Sequence, residues 1–158
     1  MNKTLPVVLA ALAGLAWAGP ARAQQAGGFG AGVIVGDPTG VTVKGWLDDR
    51  HAFDAGVGFS GDAAIYADYL WHAWDLFPQP GKGRLGGYVG AGPRIETQRD
   101  TAFGIRTLGG LAYWAASHPI ELFFEVGPVF RLSPESQVDV DAGLGVRFYF
   151  GGSQAPKG

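Results

Sequence analysis

The chain has 158 residues, with 12 basic and 14 acidic side chains, a formal charge of −2, 27 glycines and no cysteine. This length suits one domain with its own core. The charge offers no basic surface for nucleic acid, and the lack of cysteine excludes a disulfide scaffold, a thiol nucleophile, a zinc–thiolate site and a lipidated N-terminal cysteine.

Residues 1–23 read as an export signal. Lys3 opens a short basic region, residues 5–17 are almost wholly apolar, and Ala21-Arg22-Ala23 places small residues where a signal peptidase reads them before Gln24. The apolar run falls short of the ~20 residues that a membrane-spanning helix needs. Losing Lys3 and Arg22 with the signal makes the mature chain more acidic. The expected organisation is a signal over 1–23, one domain over 24–150 and a flexible tail over 151–158.

Two-residue alternation dominates the chain from Phe29 onward. Phe29, Ala31, Val33 and Val35 alternate with Gly30, Gly32 and Ile34, which predicts a strand. Asp37-Pro38-Thr39-Gly40 is a turn former, because Pro fixes φ and Gly tolerates positive φ. Val41, Val43 and Leu47 then alternate with Thr42, Lys44 and Trp46, completing a hairpin. Phe53, Ala55, Val57 and Phe59 make a third strand, and Ser60-Gly61-Asp62 turns the chain into residues 64–74. That segment could also be drawn as an amphipathic helix, but its aromatic density favours a strand, and a lone helix among hairpins has no partner.

Residues 75–83 form the longest connection, with Pro78, Pro80 and Gly81. A strand over 85–96 comes next, in which Pro93 removes a ladder donor and predicts a bulge or local opening. Residues 103–114 alternate more weakly. Residues 120–131 and 138–150 alternate strongly on either side of the turn Ser133-Pro134-Glu135-Ser136. Eight strands joined by short connections predict an all-β, antiparallel up-and-down barrel.

The second face of these strands collects Lys44, Asp54, Asp68, His72, Arg94, Glu96, Arg106, Glu121, Glu125, Arg131, Asp139, Asp141 and Arg147. A soluble barrel wets such a face, whereas a membrane barrel turns it inward and must pair its charges. Trp46, Tyr69, Trp71, Trp74, Tyr88, Tyr113, Trp114 and Tyr149 all fall near one rim, where rings with a polar handle suit the headgroup level. They are therefore expected to form a membrane-interface girdle. Interior glycines at 56, 58, 90, 92, 110, 127, 143 and 145 are expected to make room for Arg, Glu and Tyr in a lumen only wide enough for side chains.

With its charged face, its aromatic rim and the terminal Val146-Arg147-Phe148-Tyr149-Phe150, the chain resembles the small eight-stranded outer-membrane barrels of Gram-negative bacteria, the OmpA-like transmembrane domain and OmpX-like class. The resemblance implies an eight-stranded transmembrane barrel in the cell outer membrane, contact with outer-membrane lipids, and a C-terminal strand read by the barrel assembly machinery. Residues 151–158 after Phe150, and short connections on the presumed outer side, depart from that class. The short connections weaken any adhesin or receptor reading.

Candidate chemistry is sparse. Ser117-His118 point apart in an extended turn, and Asp68 and His72 lie roughly 13 Å apart along one strand, too far for a base and its orienting acid. Ser60 with Asp62, and His51 beside Asp49, complete the candidates. Glu121 and Glu125 read as partners for Arg131, Arg147 and Arg106, and Gly27-Gly28-Phe29-Gly30-Ala31-Gly32 lacks the helix and acidic residue of a nucleotide fingerprint. The expectation is a non-enzymatic, monomeric structural barrel with a plugged polar lumen, no metal and no cofactor. The alternatives are a soluble periplasmic barrel holding an apolar ligand and an outer-membrane lipid-modifying enzyme.

Overall fold

The computed structural model describes residues 28–59, 61–97 and 101–150. The expected signal, the tail over 151–158 and Ser60 lie outside these residues. Eight strands run in order: β1 (Phe29–Asp37), β2 (Thr39–Trp46), β3 (His51–Phe59), β4 (Ala63–Ala73), β5 (Arg84–Thr97), β6 (Thr101–Trp114), β7 (Ile120–Ser133) and β8 (Gln137–Phe150). Each pairs antiparallel with its sequence neighbours, and β1 pairs with β8 from Phe29↔Phe150 to Asp37↔Ala142, closing the barrel. The segment that allowed a helical reading is β4, paired with β3 from His51↔Trp71 to Phe59↔Ala63.

Sequence alternation sets which side faces in. Odd-numbered residues of β1 to β6 point outward, as do even-numbered residues of β7 and β8, and these are the apolar positions. Exposed large apolar side chains come from all eight strands, and on β7 and β8 Leu122 is 50% exposed, Phe124 44%, Leu144 63% and Val146 38%. The outward parity carries only two carboxylates or imidazoles, Asp37 and His51, each the end residue of its strand. An apolar belt this extensive is suited to lipid, because soluble surfaces rarely carry apolar patches beyond a few hundred Å².

The barrel is lopsided. At ~3.4 Å per residue and a tilt near 40°, the 14-residue strands β5 to β8 rise roughly 36 Å, while β1 to β3, at 8–9 residues, rise about 22 Å. An apolar band is ~25 Å tall, so the longer side overshoots it. The overshoot ends in polar residues, Thr97, Thr101, Ser133 and Gln137.

Pro93 opens the sheet without a bulge. The β4–β5 register holds from Ala63↔Thr97 to Tyr66↔Arg94 and resumes at Tyr69↔Ala91, skipping the pairs opposite Pro93 and Gly92. Pro128 does the same between β6 and β7, where pairing stops after Arg106↔Val129 and resumes at Gly109↔Val126. Each proline lacks the amide that its ladder position needs. The register shift lies elsewhere, between Phe103 and Gly104 opposite β7.

Candidate functional site

The inward faces build a lumen of stacked ion pairs. All thirteen charged or imidazole side chains of the second face lie on the interior parity. Ten of them are buried, while Glu96, Arg131 and Asp139 sit half-buried at the mouth opposite the chain termini.

Nearest the termini, Lys44 (β2) donates to Glu121 Oε1 (β7) at 2.7 Å and to His72 Nε2 (β4) at 2.9 Å. His72 Nδ1 lies 3.3 Å from the Arg50 carbonyl, so the ring donates there and accepts from the lysine. Glu121 also accepts from the Tyr149 hydroxyl at 2.5 Å and lies 3.7 Å from Arg147. Arg147 (β8) reaches across to Asp54 Oδ2 (β3) at 2.5 Å and to Thr42 Oγ1 at 2.9 Å, while Thr42 donates to Asp54 Oδ1 at 2.7 Å.

The middle layer is centred on Arg106 (β6). It pairs with Asp68 at 3.0 Å, with Glu125, and with Asp141 at 3.2 Å, and Tyr88 donates to Glu125 at 3.2 Å. Beyond it, Arg94 (β5) pairs with Asp141, with Glu96 at 2.8 Å and with Asp37 at 3.8 Å. At the open mouth Arg131 bridges Asp139 at 2.8 Å and Glu96 at 3.2 Å. Each cation thus meets at least one carboxylate, which the low-dielectric interior requires. The sequence pointed Arg131 at Glu121 or Glu125, but it belongs to Glu96 and Asp139. The stagger of the closed sheet sets these cross-lumen pairings.

The aromatic girdle needs correction. Of its eight expected members, Tyr69, Trp71 and Tyr113 lie on the outer wall, but Trp46, Trp74, Tyr88, Trp114 and Tyr149 are buried inside. Those five share the parity of Lys44, His72 and Arg147, and the strand pleat overrides the ring's preference for the headgroup level. They form a lid across the terminal end: Trp114 packs on Tyr149 at 4.3 Å, Trp46 stacks on Trp74 at 5.9 Å, and His72 stacks on Tyr88 at 4.9 Å. Trp74 Nε1 donates to the Asp49 carbonyl at 2.8 Å, pinning the lid to the β2–β3 turn.

The interior glycines make room for tyrosine, as expected, but for apolar side chains in place of the expected Arg and Glu. Gly56 faces the Tyr66 ring, Gly110 the Tyr88 ring and Gly145 the Phe123 ring, while Gly90 and Gly143 face Leu70 and Ile34. They make room mainly for rings and branched side chains. Arginines then lie over some of those rings: Arg147 is 3.7 Å from the Phe123 centroid and Arg106 is 4.4 Å from that of Tyr66.

Among the described residues, none of the Ser/His/acid pairs that the sequence offered forms. His72 is held by Lys44, Asp68 by Arg106, and His51 pairs with Asp48 at 2.7 Å instead of Asp49. Ser117 and His118 lie exposed in the β6–β7 turn. No group of three or more metal-ligating side chains occurs among these residues.

No family model matches the chain, and no curated protein matches it. Among solved structures, the chain is similar to the N-terminal β-barrel domain of Pseudomonas aeruginosa OprF, at 20% identity and a TM-score of 0.57, covering 80% of this chain and 98% of that one. What the two share is the fold, a β-barrel, which in this chain is closed by eight antiparallel strands.

Proposed function

We propose that this chain is a structural outer-membrane β-barrel, exported by its N-terminal signal, with a lumen plugged by its own side chains and no catalytic task. The observation that carries this reading is the inversion of faces: an apolar belt drawn from all eight strands faces out, while ten buried ionisable groups are paired inside. A soluble lipid carrier needs the opposite arrangement, an apolar interior and a wet exterior. The likeness to the OprF barrel domain supports the same setting.

The twelve charged residues of the lumen, with His72, serve as a cross-braced core that holds eight strands in register. The Trp46, Trp74 and Trp114 lid closes the terminal end, and Tyr69, Trp71 and Tyr113 supply the interfacial ring on the outer wall. The partners are outer-membrane lipids and, through the Phe150 end of β8, the barrel assembly machinery. The barrel acts as a monomer. The lipid-modifying alternative lacks support from geometry, since each buried acid and histidine is engaged by a neighbouring cation.

The test is fractionation, then electrophoresis with and without boiling. The folded barrel is expected in the outer membrane and shifts in mobility on boiling. Recovery in the soluble periplasm without a shift would refute the reading.

A further inference from the structure

The outward apolar residues do not form a belt of even height. On the β2 side they run from Val41 to Leu47, the first residue past the strand, and on β3 from Phe53 to Phe59. A residue in a strand tilted near 40° rises about 2.6 Å along the barrel axis, so each of these walls is roughly 16 Å tall. Four strands away around the ring, the outward positions of β6 reach from Phe103 to Tyr113, roughly 26 Å, and those of β7 from Ile120 to Leu132, roughly 31 Å. Against a hydrocarbon band of ~25 Å, one side of the barrel falls about 9 Å short while the other matches or exceeds it.

Polar groups fix both limits of the short side. Toward the chain termini it stops at Asp48, Asp49 and Arg50, all exposed. At the other end it stops at Asp37 and Thr39, which lie on the outward parity. The hairpin closes there, because the Thr39 hydroxyl donates to the Gly36 carbonyl at 2.9 Å and accepts from the Gly36 amide at 3.0 Å. Pro38 between them is buried and packs over Gly58, so the turn folds inward and adds no apolar height.

The register places the deficit at one end of the barrel. Phe29 pairs with Phe150, the last residue of β8, so β1 and β8 start level beside the termini. At the opposite mouth β1 stops at Asp37↔Ala142, while β8 continues to Gln137 and leaves Val138 and Val140 without a β1 neighbour. Rigid tilting cannot remove the difference, since it scales the projected height of both walls by the same cosine. A flat bilayer therefore leaves polar groups of the short side inside hydrocarbon. Compressing lipid is the cheaper solution, because mismatch costs little per ångström and desolvating a carboxylate costs much.

We propose that β1–β3 form a bilayer-thinning surface, beside which the leaflet remote from the termini dips toward Asp37 and Thr39. The inference rests on the membrane reading and goes beyond it, because it gives the barrel a thin and a thick flank. The partner of the thin flank is lipid with shortened or disordered acyl chains.

The test places single nitroxides through Val41→Cys, Leu47→Cys, Phe103→Cys and Leu111→Cys in the full chain, reconstituted in phosphatidylcholine with 18-carbon chains. Depth is read from the ratio of accessibility to oxygen and to a water-soluble nickel reagent, and heat-modifiable migration confirms that each variant is folded. Val41 and Leu47 are both expected within about 5 Å of the nearest aqueous boundary, one outward rung, and Val41 is expected to be as shallow as Phe103. In phosphatidylcholine with 12-carbon chains Phe103 should move into reach of the nickel reagent, while Val41 keeps its depth. A Val41 label about 9 Å deep with Leu47 shallow would show an unthinned bilayer and overturn the proposal. Leu47 deep with Val41 shallow would show a barrel tilted in a flat bilayer and overturn it too. Free access of the nickel reagent to Leu111 would overturn the membrane reading itself, and the proposal with it.

Discussion

Glu121 offers the sharpest energetic test of the lumen. Its carboxylate is fully buried and holds Lys44 at 2.7 Å, Tyr149 at 2.5 Å and Arg147 at 3.7 Å. Glu121→Ala leaves two buried cations with Asp54 as their nearest acid, an uncompensated charge that costs about 3–5 kcal/mol. Lys44→Met is milder. It leaves Glu121 bonded to Tyr149 and facing Arg147, so the loss is closer to one charged hydrogen bond, about 1.5–3 kcal/mol. The double variant Lys44→Met with Glu121→Met removes the pair while Arg147 keeps Asp54, and it should cost less than Glu121→Ala alone. The assay is urea unfolding in detergent or lipid, read as a double-mutant cycle. If all three variants lie within about 0.5 kcal/mol of wild type, water screens these charges and the dry, cross-braced lumen is wrong.

Other positions make separate predictions. Leu144→Arg places a charge on the lipid face and is expected to destabilise the barrel by about 2–4 kcal/mol in bilayers, where an exposed soluble position would shift little. Gly145→Leu pushes a side chain into the Phe123 ring and should cost about 1–3 kcal/mol in the same unfolding assay, partly recovered by Phe123→Ala. Trp114→Ala opens the buried lid and should lose about 3–5 kcal/mol. In the β2–β3 turn, the Asp48 carboxylate accepts from the Arg50 and His51 amides at 2.8 Å and pairs with the His51 ring. The Arg50 amide first, then the His51 ring, hold its pKa below the ordinary carboxylate range. Its stabilising share is therefore present at neutral pH and lost as pH falls below about 4 toward the lowered folded value, and Asp48→Asn should remove that part of the acid sensitivity of the unfolding midpoint.

Much of the fold was legible because the signal has period two. Val138 to Phe150 announces its faces residue by residue, and β8 lies in the sheet with that parity intact. The same parity already assigned Trp46, Trp74, Tyr88, Trp114 and Tyr149 to the lumen side. Expecting them at the headgroups weighted residue preference over the pleat, although the end of the barrel at which they gather is the expected one. Partner choice across the lumen was not legible. Whether Arg131 meets Glu125 or Glu96 depends on stagger accumulated around eight strands, which no single strand encodes.

The central claim is the inversion of faces, and β8 tests it most directly. Because the chain has no native cysteine, single cysteines can be introduced along Val138 to Phe150 and labelled with a nitroxide in reconstituted bilayers. The account predicts that Val140, Ala142, Leu144, Val146 and Phe148 are accessible to oxygen and shielded from a water-soluble relaxation reagent, while Asp141, Gly143, Gly145 and Arg147 are shielded from both. Access of the water-soluble reagent to Leu144 and Val146 would contradict it.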